Sequence, residues 1–91
     1  MLDYAAQLRA MIDHDVSADF DGSLEAAAGR VRADVLNVVD LQDHMVTPWP
    51  ALRFVELLGA ESISLDSDCG HLASDCEAAT VNPRVREFLA R

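Results

Sequence analysis

The chain is poor in cations. Seven Lys+Arg stand against 16 Asp+Glu in 91 residues, a formal charge of −9 at pH 7. A nucleic-acid binder needs a basic footprint to neutralise phosphates, and this composition excludes one. The same balance argues against docking on an anionic membrane surface. Long apolar runs are also missing. Val35-Leu36 and Val38-Val39 are typical, far below the roughly 20 residues of a membrane-spanning helix. Met1-Leu2-Asp3-Tyr4 has no basic region ahead of an apolar core, so no secretory leader is expected. Two cysteines are too few for a secreted disulfide framework, which makes a reduced, cytoplasmic setting the expectation. Aromatic residues are 5%, thin for an independent core. What remains is globular in composition, with 51% hydrophobic and 25% charged residues. The length allows one domain at most, and a small one.

Residues 1–30 read as a helical cap or connector. Tyr4, Leu8, Met11 and Ile12 fall on one face of a 3.6-residue period. The pattern fades at Asp13-His14-Asp15, and a loop follows through Ser17 to Gly22. Ser23 is placed to cap a short helix over 24–28, which Gly29 stops.

Residues 31–91 read as strand, helix, strand, helix. Val35 to Val39 is a β-branched run without alternation, predicting a strand buried on both faces. Thr47-Pro48 predicts a helix start with Thr as cap and Pro at the first position. Ala51, Phe54, Val55 and Leu58 form its apolar stripe, and Gly59 ends it. Trp49 reads as an anchor where that helix begins, with an aromatic platform at a site mouth as the alternative. Ser62 to Leu65 predicts the second strand. Asn82-Pro83 predicts the start of a terminal helix carrying Val85, Phe88 and Leu89 on one side. Alternating elements with short loops are the βαβ pattern of an α/β fold with a parallel sheet. Two parallel strands leave both sheet edges open, and parallel sheets occur almost only as larger, doubly covered ones. The chain is therefore expected to be one end of a larger sheet. The rest would come from a missing N-terminal part, from a second chain or from a homo-oligomer.

Functional groups in such sheets gather beyond the carboxyl ends of the strands. One such loop holds Asp40, Asp43 and His44; the other holds Asp66, Asp68, Cys69 and His71. Adjacent strands lie roughly 5 Å apart, so an Asp of the first loop can orient a His of the second. That is the base-and-orienter half of a nucleophilic triad. Asp43 and Asp40 are both candidates for that acid. His14 and His44 read as surface residues. Cys69, His71 and Cys76 do not have a recognised zinc spacing, so no metal site is expected, and Cys69 reads as a small packing residue. The scattered arginines Arg30, Arg32, Arg84, Arg86 and Arg91 do not predict a phosphate-binding cluster.

Val38-Val-Asp-Leu-Gln-Asp-His-Met-Val-Thr-Pro48 resembles the acid-bearing loop of α/β-hydrolase-fold enzymes. Ser67-Asp-Cys-Gly-His71 resembles the loop that carries their triad base. The resemblance, through the spacing to Pro48, puts Asp43 first as the acid and Asp40 second, and makes His71 the base, in the chain order of that fold. Within the superfamily, nearly the whole chain resembles the C-terminal part of homoserine O-acetyltransferases, from Tyr4-Ala-Ala-Gln-Leu-Arg to Val85-Arg-Glu-Phe-Leu89. The resemblance implies the C-terminal βαβα portion of an α/β-hydrolase fold. It implies acyl transfer from acetyl-CoA or another acyl donor, as substrate, to a hydroxyl through an acyl-serine. No bound cofactor is expected.

Two departures bear on function. There is no Gly-x-Ser-x-Gly elbow, so the nucleophile is expected outside this chain, and the chain alone is expected to be inactive. Leu72 stands where homoserine acetyltransferases typically carry an Asp that helps hold the substrate amine. A plain serine hydrolase or esterase is therefore the first alternative. A non-catalytic fragment or sheet-completing partner module is the second.

Overall fold

The structure, a computed structural model, describes residues 2–91; Met1, the first residue of the stretch read as carrying no leader, lies outside the described residues. The chain forms two compact units, residues 1–30 and 31–91.

In the first unit, α1 (Leu2–Asp13) and α2 (Leu24–Ala28) flank a 3-10 turn at Ala18–Phe20. The α1 stripe forms as predicted, but it faces solvent: Met11 is 72% and Ile12 80% exposed. Asp15 Oδ1 accepts from the Ser17 hydroxyl at 2.6 Å and the Ser17 N–H at 2.9 Å. These bonds, the hydroxyl's first, hold the Asp15 carboxyl below its ordinary range. Asp21 (φ 55) and Gly22 (φ 79) then turn the chain through left-handed backbone. The Ser23 hydroxyl accepts from the Ala26 N–H at 3.1 Å, the expected cap. Ala27 and Ala28 are buried.

The second unit runs β1 (Leu36–Asp40), α3 (Trp49–Leu58), β2 (Glu61–Leu65), a 3-10 turn at Gly70–Leu72, α4 (Ala73–Cys76) and α5 (Ala78–Leu89). The strands pair in parallel, Leu36 opposite Glu61 through Asp40 opposite Leu65. The chain is thus mixed helix and strand, with a two-stranded parallel sheet among the described residues. Ile63, Leu65, Ala73 and Val81 form the core, with Leu36, Val38, Cys69 and Val85 packed against it. Val81 and Val85 share a face of α5 at i, i+4, so this helix covers one face of the sheet. At the far end, Arg91 pairs with Glu61 at 2.6 Å and lies over the Phe88 ring.

Several expectations need correction. β1 is only half-buried, with Asp40 its one buried residue, and β2 alternates between covered and open positions. The two-stranded sheet leaves the outer edge of β1 open, and the helices against it cover its faces only in part. Thr47 makes no cap; Pro48 holds that position, and the Asp43 carboxylate takes the amides just ahead of the helix. Trp49 is 64% exposed rather than an anchor. α5 begins at Ala78, ahead of Asn82-Pro83, and contains Pro83. Pro83 leaves the Ala79 carbonyl without its helical donor, but burial of Val81 and Val85 and the helix-forming alanines carry the helix through. Finally, Cys69 and Cys76 are joined in a disulfide. The turn of 3-10 helix and the turn of α4 bring their Cα atoms to 6.5 Å, within bridging range.

Gly59 ends α3 at φ 64, as its position predicts, and donates to the Val55 and Glu56 carbonyls. Any Cβ there meets left-handed strain. Gly59→Ala should therefore lower stability by about 1–2 kcal/mol in urea denaturation. An unchanged midpoint would contradict this helix end.

Candidate active site

The parallel register sets the two strand ends side by side. Leu41 N–H donates to the Leu65 carbonyl at 2.8 Å, one step past the ladder. From there three further bonds cross between the loops. Asp40 Oδ1 accepts from the Ser67 N–H at 2.7 Å, Gln42 Nε2 donates to Asp66 Oδ1 at 2.8 Å, and Asp43 Oδ2 meets His71 Nδ1 at 3.0 Å. Gly70 permits the last contact. Its φ of 59 turns the chain tightly, and a Cβ there would stand 3.4 Å from the Gln42 carbonyl.

Asp43 is fixed by its own loop before it meets the imidazole. Its Oδ1 accepts from the Met45 and Val46 N–H groups, each at 2.9 Å, leaving Oδ2 for His71. The Val46 N–H does most to hold the Asp43 carboxyl below its ordinary 3.8; partial burial opposes this, and His71 and Met45 reinforce it. An ionised carboxylate only accepts, so Nδ1 of a neutral His71 carries the proton and Nε2 keeps its lone pair. That is the orientation a general base requires. The His71 side chain is 48% exposed and that of Asp43 12%. Both face a cavity of about 400 Å3 lined also by Asp40, Val46, Ala51 and Gly70.

The sequence candidates separate here. Asp43 and His71 are brought together. Asp40 is 5% exposed and spends Oδ1 on Ser67, while Oδ2 is buried without a protein partner. It ties the second loop to the first strand and does not touch His71. His14 and His44 are exposed. Cys69 and Cys76 are committed to each other, so in this form neither thiolate is available to a metal. The roles of Gln42 and Ser67 escaped the sequence reading, because amide and hydroxyl side chains in a polar loop carry no pattern of their own.

Compared with protein-family models, curated proteins and solved structures, the chain matches none. Among the described residues no helix is long and apolar enough to cross a membrane.

The depressed Asp43 carboxyl makes its loop acid-sensitive. Its stabilising effect is full above the ordinary 3.8 and is lost as pH falls through the lower folded value. In an NMR titration the Asp43 carboxyl should titrate below 3.8, with the Met45 and Val46 amides moving at the same midpoint. Asp43→Asn should abolish that transition. A midpoint at or above 3.8 would count against the three-donor arrangement.

Proposed function

We propose that this chain supplies the acid and base of an acyl-serine enzyme of the α/β-hydrolase type, acting in acyl transfer of the homoserine O-acetyltransferase kind. The observation that carries the reading is the Asp43 Oδ2 to His71 Nδ1 contact at 3.0 Å, made between loops at adjacent parallel strand ends. The nucleophilic serine and the oxyanion donors would come from a further segment or a second chain.

In that reaction His71 Nε2 takes the serine proton as Oγ attacks the acyl carbonyl. The tetrahedral intermediate collapses, the donor's leaving group departs with that proton, and an acyl-serine remains. The acceptor hydroxyl then gives its proton to His71 and attacks the ester. Collapse returns the proton to serine and releases the acylated acceptor. Asp43 holds the imidazole tautomer throughout and stabilises the imidazolium. The apolar side of the cavity, from Val46 and Ala51, suits a short acyl chain.

One observation favours a hydrolase instead. Leu72, directly after the base, is 64% exposed and presents no carboxylate to a substrate amine. Water would then take the acceptor's place.

The test begins with the reading frames flanking this gene. Co-expression of a nucleophile-bearing segment found there should yield acyl transfer or ester hydrolysis. His71→Ala and Asp43→Asn should each lower kcat, by about ten-thousand-fold where the histidine tautomer is lost. Product partition with and without homoserine separates transferase from hydrolase. Robust turnover by the 91-residue chain alone, abolished by His71→Ala, would overturn the assignment of the nucleophile elsewhere. Unchanged kinetics in either variant would overturn the acid–base roles.

A further inference from the structure

The disulfide and the base share one short segment. Cys69 and Cys76 close a ring over residues 69–76, and His71 lies inside it. Within the ring are a 3-10 turn and a helix of four residues, both too short to hold themselves in water. Their backbone bonds are local: Gly70 to Ser67, Leu72 to Cys69, Glu77 to Ala73. The ring is attached to the rest of the unit at Ala73, 2% exposed in the core, and at Cys69, partly buried against it, with His71 between the two. His71 reaches across to Asp43 by a single half-exposed bond, of a kind that contributes little by itself. The imidazole therefore goes where the ring backbone holds it.

We infer that the Cys69–Cys76 disulfide is a redox-operated clamp on the His71 loop: closed, it holds the imidazole against Asp43, and opened by a dithiol it releases it. Cys76 is the more exposed residue of the pair and Cys69 is partly covered, so the inferred exchange begins with an incoming thiolate at Cys76. It attacks Cys76 Sγ, the bond to Cys69 Sγ breaks, and Cys69 leaves as a thiolate that takes a proton. The second thiolate of the reductant then displaces Cys76. The products are two protein thiols and a cyclic reductant disulfide, the dithiol supplying both electrons. Asp68, Asp75 and Glu77 flank the two cysteines, which favours an uncharged dithiol over an anionic one.

The inference rests on Asp43 and His71 as acid and base, but its test does not read catalysis. The full chain is compared air-oxidised and after dithiothreitol, by 15N shifts of the His71 ring and by amide hydrogen exchange. Oxidised, Nδ1 and Nε2 should give the separated signals of one tautomer. Reduced, they should move toward an averaged pair, and exchange at Gly70 and Leu72 should rise at least tenfold. The β1–β2 amides should keep their protection. Cys69→Ser with Cys76→Ser, without reductant, should reproduce the reduced spectrum. An identical His71 signature in both redox states would overturn the clamp. So would strand amides that exchange freely before reduction or lose protection together with the loop, or two alkylatable thiols in the air-oxidised chain. A clamp seen without acyl chemistry would leave the clamp standing and remove the proposed function.

Discussion

Everything at the candidate site depends on the parallel pairing of β1 with β2. Parallel strands put both carboxyl ends on the same side, and the register places Asp40 opposite Leu65 with no overhang. The next residues on either strand therefore begin level with each other. A shift of one residue would move the Asp43 loop by about 3.3 Å along the strand, more than the 3.0 Å contact with His71 tolerates. α3 enforces this geometry as the connection that lets two neighbouring strands run the same way. Val55 is its buried contact and Gly59 its sharp end.

Two carboxylates three residues apart are put to different uses by their surroundings. Asp40 sits on the last residue of a strand, in the sheet, and its accepting oxygen holds a backbone amide of the facing loop. Asp43 has left the sheet, so its side chain is free to turn back on its own backbone and forward to an imidazole. Burial alone does not single out the aspartate that meets the histidine. The more buried aspartate is the structural one, and the one that meets histidine stays accessible from the cavity.

The strands, the helix between them, the Ser23 cap and the Gly59 stop were legible because each follows from local rules: β-branched runs, a capping hydroxyl, a residue free to adopt left-handed backbone. That an aspartate of the first loop meets His71 of the second was legible because parallel strands fix where their loops go; the choice of Asp43 over Asp40 rested on the resemblance of its loop to an acid-bearing one. Other features depend on contacts remote in sequence. Pro83 marks a helix start by local preference, yet α5 runs through it because Val81 and Val85 meet the core. The disulfide was hidden for a related reason. Two cysteines in a short, acidic loop are ambiguous until the turn at Gly70 and the helix at Ala73 are known to fold them together. Trp49 shows the opposite failure: a large aromatic at a helix start invites burial, but no element of this unit is positioned to cover it.

The imidazole's placement is thus determined from two directions with unequal strength. From the β1 side it depends on side-chain bonds in a row, of which only the Asp40 bond is buried. From its own side it depends on an eight-residue loop, short for its helical content and closed by one covalent link. In the proposed role of base, an imidazole must be held within about 0.5 Å of its productive geometry. The exposed contacts among these contribute too little for that, and the buried Asp40 bond acts at Ser67, well before the histidine. The covalent link lies close enough to His71, on both sides of it in sequence, to limit where the ring can go. Position in the chain, more than bond strength, makes the disulfide the control point of the site.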